Sequence, residues 1–188
     1  MKSNILKSIR ITLVLTVILC VIYPVAISFA GKLSKGRGNG ETITVNGKVV
    51  GYANIGQSFT QPKYFWGRPS AAGYNAAGSA GSNKGPSNPD YLKEVSNRID
   101  TLLKYHPYLK RSDIPVEMVT ASGSGLDPDI SPAAAKIQVE RIAQNRQLTV
   151  MQVTDLVNQH TEAPLLGLFG PAKVNVLKLN VALDALKK

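Results

Sequence analysis

Ile11 to Ala30 reads ITLVLTVILCVIYPVAISFA, twenty residues without a charge, bracketed by Lys7 and Arg10 before and by Lys32, Lys35 and Arg37 after. At about 1.5 Å of rise per residue, a helix of this length covers roughly the 30 Å hydrocarbon thickness of a bilayer. Everything after it is too polar to cross again. The plan this dictates is a short cytoplasmic tail over residues 1–10, a transmembrane helix over 11–30 with Ile11 and Ala30 at its ends and Cys20 and Pro24 inside it, and one domain over 31–188.

Two other readings of the stretch compete with a retained anchor. Ser28-Phe29-Ala30 resembles the small-x-small cleavage site of a removed signal. The apolar run, however, exceeds the usual signal core of about 7–15 residues, and a basic cluster just beyond Ala30 is the wrong flank for processing. Lipid modification at Cys20 is disfavoured by the bulky Leu19 before it. The positive-inside rule gives a tie, with Lys2, Lys7 and Arg10 on one side against Lys32, Lys35 and Arg37 on the other. The free amino terminus and the shortness of the leading tail favour a cytoplasmic amino terminus and an extracytoplasmic domain. Pro24 removes a helical hydrogen bond and is expected to bend the outer third of the span, where a neighbouring membrane helix would accommodate it.

The 188 residues are 44% hydrophobic, and once the anchor is set aside they supply one modest core. The net charge of +10 does not signify nucleic acid, because the basic residues from Lys48 to Lys188 are scattered, adjacent only at Lys110-Arg111 and Lys187-Lys188, and never form a stripe with interleaved aromatics. The lone cysteine lies in the span, so the domain carries neither a disulfide nor thiol chemistry.

Thr42–Tyr52 (TITVNGKVVGY) holds two β-rich runs around Asn46-Gly47, a strong hairpin signal. Pro69–Pro89 is rich in Gly, Ser, Asn and Ala and reads as a long loop. Asn88-Pro89 then opens a helix with Leu92, Val95, Ile99, Leu102 and Leu103 on one face. Ile114–Thr120 is expected as a core strand. ASGSGLDPDIS forms a second polar loop, and Ser131-Pro132 starts a helix to about Asn145 that buries Ala135, Val139 and Ile142. Thr149 and Gln152 have capping-box spacing and open a helix with Val150, Val153, Leu156 and Val157 as its stripe. Val174–Leu179 is expected as a last strand before a short charged tail. The fold class is α+β, with about three helices and a small sheet with a hairpin.

No constellation of residues makes an enzyme compelling. Gly78–Gly85 (GSAGSNKG) superficially resembles a phosphate-binding loop, but Asn83 stands where the second glycine belongs and Gly85 where the magnesium-holding hydroxyl belongs. Ser122, Ser124, Asp127, Asp129 and His160 supply the residue types of a hydrolase triad, so an anchored extracytoplasmic serine hydrolase is the rival reading. Ser122-Gly123-Ser124-Gly125 nevertheless lacks the first glycine of a nucleophile elbow. His160 near a helix end is expected to cap carbonyls, and the aspartates to cap turns or the next helix. His160-x-Glu162 and the aspartate pair fall short of any metal set, so no metal is expected.

GQSFTQPKYFWGRPSAAGYNAAGSAGSNKGPSNP (56–89), PVEMVTASGSGLDPDISPAAAKIQVERIA (115–143) and the VNVLKLNVALDALKK ending resemble the small C subunit of the bacterial high-affinity potassium-transporting P-type ATPase, the Kdp system. The similarity spans nearly the whole chain, including Tyr23-Pro24 in the single span, and departs from the commoner family pattern near Ala163-Pro164. It implies a non-catalytic accessory subunit of a cell inner membrane complex. The partners would be a channel-like potassium-selecting subunit and a P-type ATPase subunit. The aspartyl-phosphate signature D-K-T-G-T of the pump is absent from this chain. The resemblance also implies a catalytic chaperone that raises the ATP affinity of the ATPase subunit through a transient ternary complex with ATP.

No nucleotide motif accompanies that expectation. Gln138 is a weak candidate for a ribose or adenine contact, with an ordinary surface glutamine as its main reading. An extracytoplasmic domain would affect ATP only by coupling through the membrane subunits. The loops Ser70–Pro86 and Thr120–Ser131 are expected to face the potassium-selecting subunit, through Tyr74, Asn75, Ser79, Gly81, Ser82 and Asn83 on the first and Ser122, Ser124, Asp127 and Asp129 on the second.

Overall fold

The computed structural model describes residues 2–186; Met1 and the terminal lysines of the expected charged tail lie outside the described residues. The chain divides into two units, Met1–Thr42 and Ile43–Lys188.

In the first unit, helix α1 (Lys2–Val17) passes through a π-turn (Ile18–Ile22) into α2 (Tyr23–Gly31). Asn4–Gly31 is long and apolar enough to cross a membrane, so the helix includes much of the segment expected as a tail. The irregularity expected at Pro24 takes the form of the widened turn before it, in which the Tyr23 N–H bonds to the Ile18 carbonyl. Pro24 has no N–H with which to close the α-helical bond to Cys20.

The second unit opens with the hairpin read from the sequence. β1 (Thr42–Val45) and β2 (Lys48–Tyr52) pair across Asn46 (φ 50°) and Gly47 (φ 76°). Both central residues have the positive φ that a type I′ turn demands. Helix α3 (Pro89–Tyr105) is capped by Asn88, whose side chain accepts from the Tyr91 N–H at 3.0 Å. Ile99 and Leu102 are buried and Val95 and Leu103 pack beside them, whereas Leu92 in the first turn faces outward.

The expected strand over Ile114–Thr120 is a 3₁₀ turn at Val116–Met118. Local bonds decide it: Pro115 has a φ of −60°, and both the amide and the hydroxyl of Thr120 return to the Val116 carbonyl. Met118 and Val119 are buried while Val116 projects outward.

β3 (Asp129–Ile130), β4 (Thr161–Glu162) and β5 (Lys173–Asn175) form an antiparallel sheet with β5 central, pairing Ile130 and Thr161 with Val174. The helix expected from Pro132 to about Asn145 is broken into α4 (Pro132–Lys136) and α5 (Val139–Arg146). Gln138 causes the break. Its side-chain amide donates to the Ala134 carbonyl at 3.0 Å, occupying the acceptor its own N–H would use in a continuous helix, and that N–H turns to Ala135. Ala135, Val139 and Ile142 are buried as expected. The capping box at Thr149 and Gln152 starts α6 (Val150–Gln159), where Val153, Leu156 and Val157 are buried and Val150 is exposed.

The expected strand Val174–Leu179 ends at Asn175, which caps a helix, α7 (Val176–Ala185), by accepting from the Lys178 N–H at 3.0 Å. The domain thus has five α-helices among the described residues where about three were expected. They enclose a core in which Phe65, Ile130, Ile142, Val153, Val157, Val174, Leu179 and Leu183 are fully buried or nearly so.

Candidate functional site

The two polar loops singled out in the sequence are one surface. The Ser70 hydroxyl donates to the Gly125 carbonyl at 2.6 Å, and the Ser122 N–H to the Pro69 carbonyl at 3.1 Å. The Ala80 N–H and the Ser79 hydroxyl both donate to the Ser124 carbonyl at 3.0 Å. Gly125 sits at the crossing with φ +67°, where a Cβ would lie 2.7 Å from the Ala80 oxygen and 2.8 Å from the Ala72 methyl. Only glycine permits both the backbone conformation and the approach.

Arg68 anchors the platform through Asp127 at 3.0 Å, and the Tyr74 hydroxyl donates to the Arg68 carbonyl. Burial, reinforced by the charge of Asp127, raises the Tyr74 phenol above its ordinary range, so it remains a donor. Asn75, Ser79, Asn83 and Ser124 are exposed; Tyr74, Gly81, Ser82, Asp127 and Asp129 are half-buried; Ser122 is buried. A Gly-, Ser- and Asn-rich stretch without helix or strand is thereby held in place by side-chain and cross-loop bonds.

The residues of the hydrolase reading are not assembled. The Ser124 hydroxyl accepts from the Leu126 N–H, Asp127 accepts from the Asp129 N–H, and Asp129 is engaged by Lys173 at 2.8 Å and by Asn175. His160 is the C-cap of α6, with Nδ1 2.9 Å from the Leu156 carbonyl. Neither serine hydrogen-bonds to a histidine among the described residues. GSAGSNKG lies within the platform loop, and α3 begins only at Pro89. Among the described residues no group of three or more His, Cys, Asp or Glu is placed to hold a metal ion.

Beside the platform runs a polar cluster the sequence reading missed. Phe65 and Trp66 continue no strand ladder, yet their backbone groups are fully used. The Asn180 amide accepts from the Phe65 N–H (2.8 Å) and donates to its carbonyl (3.0 Å). Gln138 does the same for Trp66 (2.8 and 3.1 Å). Gln138 is therefore a fully buried structural residue, with its polar atoms committed inside the domain, in place of the expected surface glutamine. Arg141, also buried, donates to Gln138, His106 and the carbonyls of Pro62 and Tyr64, and stacks 4.1 Å from the Trp66 ring. No carboxylate pairs with it among the described residues. Burial lowers its pKa to about 10, so it stays charged at neutral pH.

Between this cluster, the platform and α3 lies an open cleft of about 480 Å³, lined by Phe59, Trp66, Arg68, Tyr74, Tyr105 and Met118 among others. The Arg68 Nε is buried there without a partner among the described residues. Its walls are mostly apolar, with a cation at the edge and no nucleophile–base pair. Such a notch is suited to gripping a neighbour's side chain.

The chain thus joins a helix long and apolar enough to cross a membrane to a small α+β domain that displays an ordered polar platform. The family described as K+-transporting ATPase, c chain, matches residues 5–185. The chain is 60% identical to the potassium-transporting ATPase KdpC subunit of Bacteroides fragilis over 188 residues, covering 98% of each. It is also 60% identical to that of Flavobacterium johnsoniae, covering 98% of this chain and all of the relative, and 50% identical to that of Polaromonas naphthalenivorans, covering 100% and 97%. The chain belongs to the KdpC family, the c chain of the K+-transporting ATPase.

Proposed function

We propose that this chain is the accessory subunit of an ATP-driven potassium uptake complex, holding the assembly together from the extracytoplasmic side of the bacterial inner membrane. Its amino terminus is cytoplasmic. Its span packs among the membrane helices of the channel-like potassium-selecting subunit and the P-type ATPase subunit, and its paired loops dock on the mouth of the former. The observation that carries this reading is the platform itself: two glycine-rich loops, distant in sequence, fixed to each other with their backbones open to close approach.

In the same reading the subunit acts as a catalytic chaperone that raises the ATP affinity of the ATPase subunit. With the domain outside, that effect reaches the nucleotide as a coupling free energy through the membrane subunits, and a ternary complex with ATP forms only on the assembled pump. The commitment of Gln138 inside the domain supports the indirect route over a contact from that residue.

Deleting residues 76–84 tests the docking. The expected result is a chain that still folds, judged by its cooperative thermal transition, but recovers the other subunits poorly on affinity purification. Undiminished recovery would remove the platform from the interface.

A further inference from the structure

Ala163 to Ala172 (APLLGLFGPA) is free of charge, and its tip is the most anomalous surface of the domain. Leu165, Leu166, Leu168 and Phe169 are 69%, 80%, 82% and 63% exposed. Isolated exposed leucines need no explanation, but four large apolar side chains within five residues form a contiguous patch. The tip is also an ordered turn. Leu165 and Phe169 exchange both backbone bonds, at 2.9 and 3.0 Å, while the Gly167 and Leu168 N–H groups donate to the Pro164 and Leu165 carbonyls. Leu166 (φ 55°) and Gly167 (φ 73°) make the reversal. Pro164 and Pro171 flank it and have no N–H to satisfy.

A loop that closes so many of its own backbone bonds sheds the main cost of leaving water, since unsatisfied amides are what lipid excludes. At its base Lys173 bridges Asp129 and Glu162, and Lys178 pairs with Glu162, which places the polar groups behind the apolar tip. The occupant follows from the chain's own anchor. Only residues 32–41 separate the membrane-length helix from β1, a linker reaching at most about 35–40 Å at about 3.5 Å per residue. Lipid is therefore the apolar phase that the domain can never leave, present at high effective concentration without a second binding event.

We propose that the Pro164–Gly170 loop is a second membrane contact, inserting Leu165, Leu166, Leu168 and Phe169 into the interfacial region of the bilayer that holds the span. This rests on the span being a retained anchor. The contact restricts the domain's orientation over the membrane, where a linker alone would leave it free to tumble.

The test uses the full chain reconstituted in phosphatidylethanolamine–phosphatidylglycerol vesicles. An environment-sensitive thiol probe is placed at Leu168→Cys in a Cys20→Ala background, and compared with Ser79→Cys in the same background. The Leu168 probe is expected to emit to the blue and to be quenched to about half by acyl-brominated lipid, as burial to roughly 5–10 Å requires, with the Ser79 probe unaffected. Phe169→Trp, read above the background of the half-buried Trp66, should show the same quenching from an independent position. A water-like Leu168 probe overturns the proposal. So does a blue-shifted probe that brominated lipid does not quench, which would assign the loop to a protein surface. Labelling Cys20 in the unaltered chain separates the premises: quenching there with none at 168 sinks the loop contact alone, whereas no quenching at Cys20 sinks the anchor.

Discussion

Arg141 donates from Nε to the Nε2 of His106 at 2.9 Å, with both side chains buried, so that a charged guanidinium relies on an imidazole as acceptor. The bond fixes the tautomer. Nδ1 carries the proton and lies 2.8 Å from the Leu102 carbonyl, leaving Nε2 with its lone pair toward Arg141. Burial lowers the His106 pKa to about 4, with the neighbouring Arg141 charge acting in the same direction and the Leu102 bond opposing both.

The pH dependence of stability follows in sign. The unfolded chain binds a proton at His106 near the ordinary value of about 6.5, and the folded chain only near 4. The unfolded state therefore holds more protons between these limits. Stability is full above about 6.5 and falls toward pH 4, by on the order of 3 kcal/mol from this group. Denaturant titrations followed by the single tryptophan, Trp66, should show the decline, and His106→Gln should flatten that part of the curve while lowering stability at pH 7. An unchanged slope in the variant would exclude His106 as its source.

Replacing Arg141 tests the cage around it. Arg141→Met leaves two backbone carbonyls and the acceptors of Gln138 and His106 without their donor, and should cost about 3–5 kcal/mol. Arg141→Lys keeps the charge but not the fork, so it should recover only part of the loss. Equal stability of the lysine variant and the natural chain would mean that geometry at this site is unimportant.

Gln138→Ala and Asn180→Ala each strand a backbone N–H and carbonyl, on the half-buried Trp66 and the buried Phe65 respectively, and should each destabilise by about 2–4 kcal/mol. Because the two amides hold adjacent residues of one segment, the double variant should depart from additivity by about 0.5–3 kcal/mol. Strict additivity in urea unfolding would show that the two clamps act independently.

Gly125→Ala forces an L-residue to φ +67° and sets its methyl against Ala80 and Ala72. A cost of at least about 1–2 kcal/mol is expected from the backbone alone. Hydrogen exchange should rise selectively at the amides of Ala80 and Ser122, which bridge the loops. Gly123→Ala, whose Cβ meets nothing within 4 Å, is the matched control.

The membrane orientation is open to a direct chemical measurement. A cysteine at the exposed Ser79 should react with a membrane-impermeant thiol reagent in intact cells. Protection until lysis would place the domain in the cytoplasm and make direct nucleotide binding the leading mechanism.

Signals complete within a few residues were legible in the sequence: the charge-free span, the Asn46-Gly47 turn, and the caps at Asn88, Ser131 and Thr149. The alternation at Val174–Leu179 misled, because Asn175 converts strand to helix by a side-chain bond that alternation does not encode. Ile114–Thr120 was apolar enough for a strand, but Pro115 and Thr120 close a local turn. The two polar loops could be read as special but not as paired, since Ser70–Gly125 and Ala80–Ser124 are bonds across long sequence separations. The Gln138, Arg141, His106 and Asn180 cluster was invisible for a similar reason: each residue is ordinary within or at the end of its own helix, and only packing reveals that they gather around Phe65-Trp66.

The widened turn at Ile18–Ile22 changes what the membrane-length helix offers to its surroundings. Accommodating about one extra residue rotates everything after it by roughly 100° relative to a regular α-helix. Ala26 and Ala30, the small residues on one side of α2 through which another helix could approach closely, therefore do not continue the line of side chains that regular spacing would project from α1. The helix therefore carries two differently aimed faces, one in each half of its length, in place of a single continuous stripe.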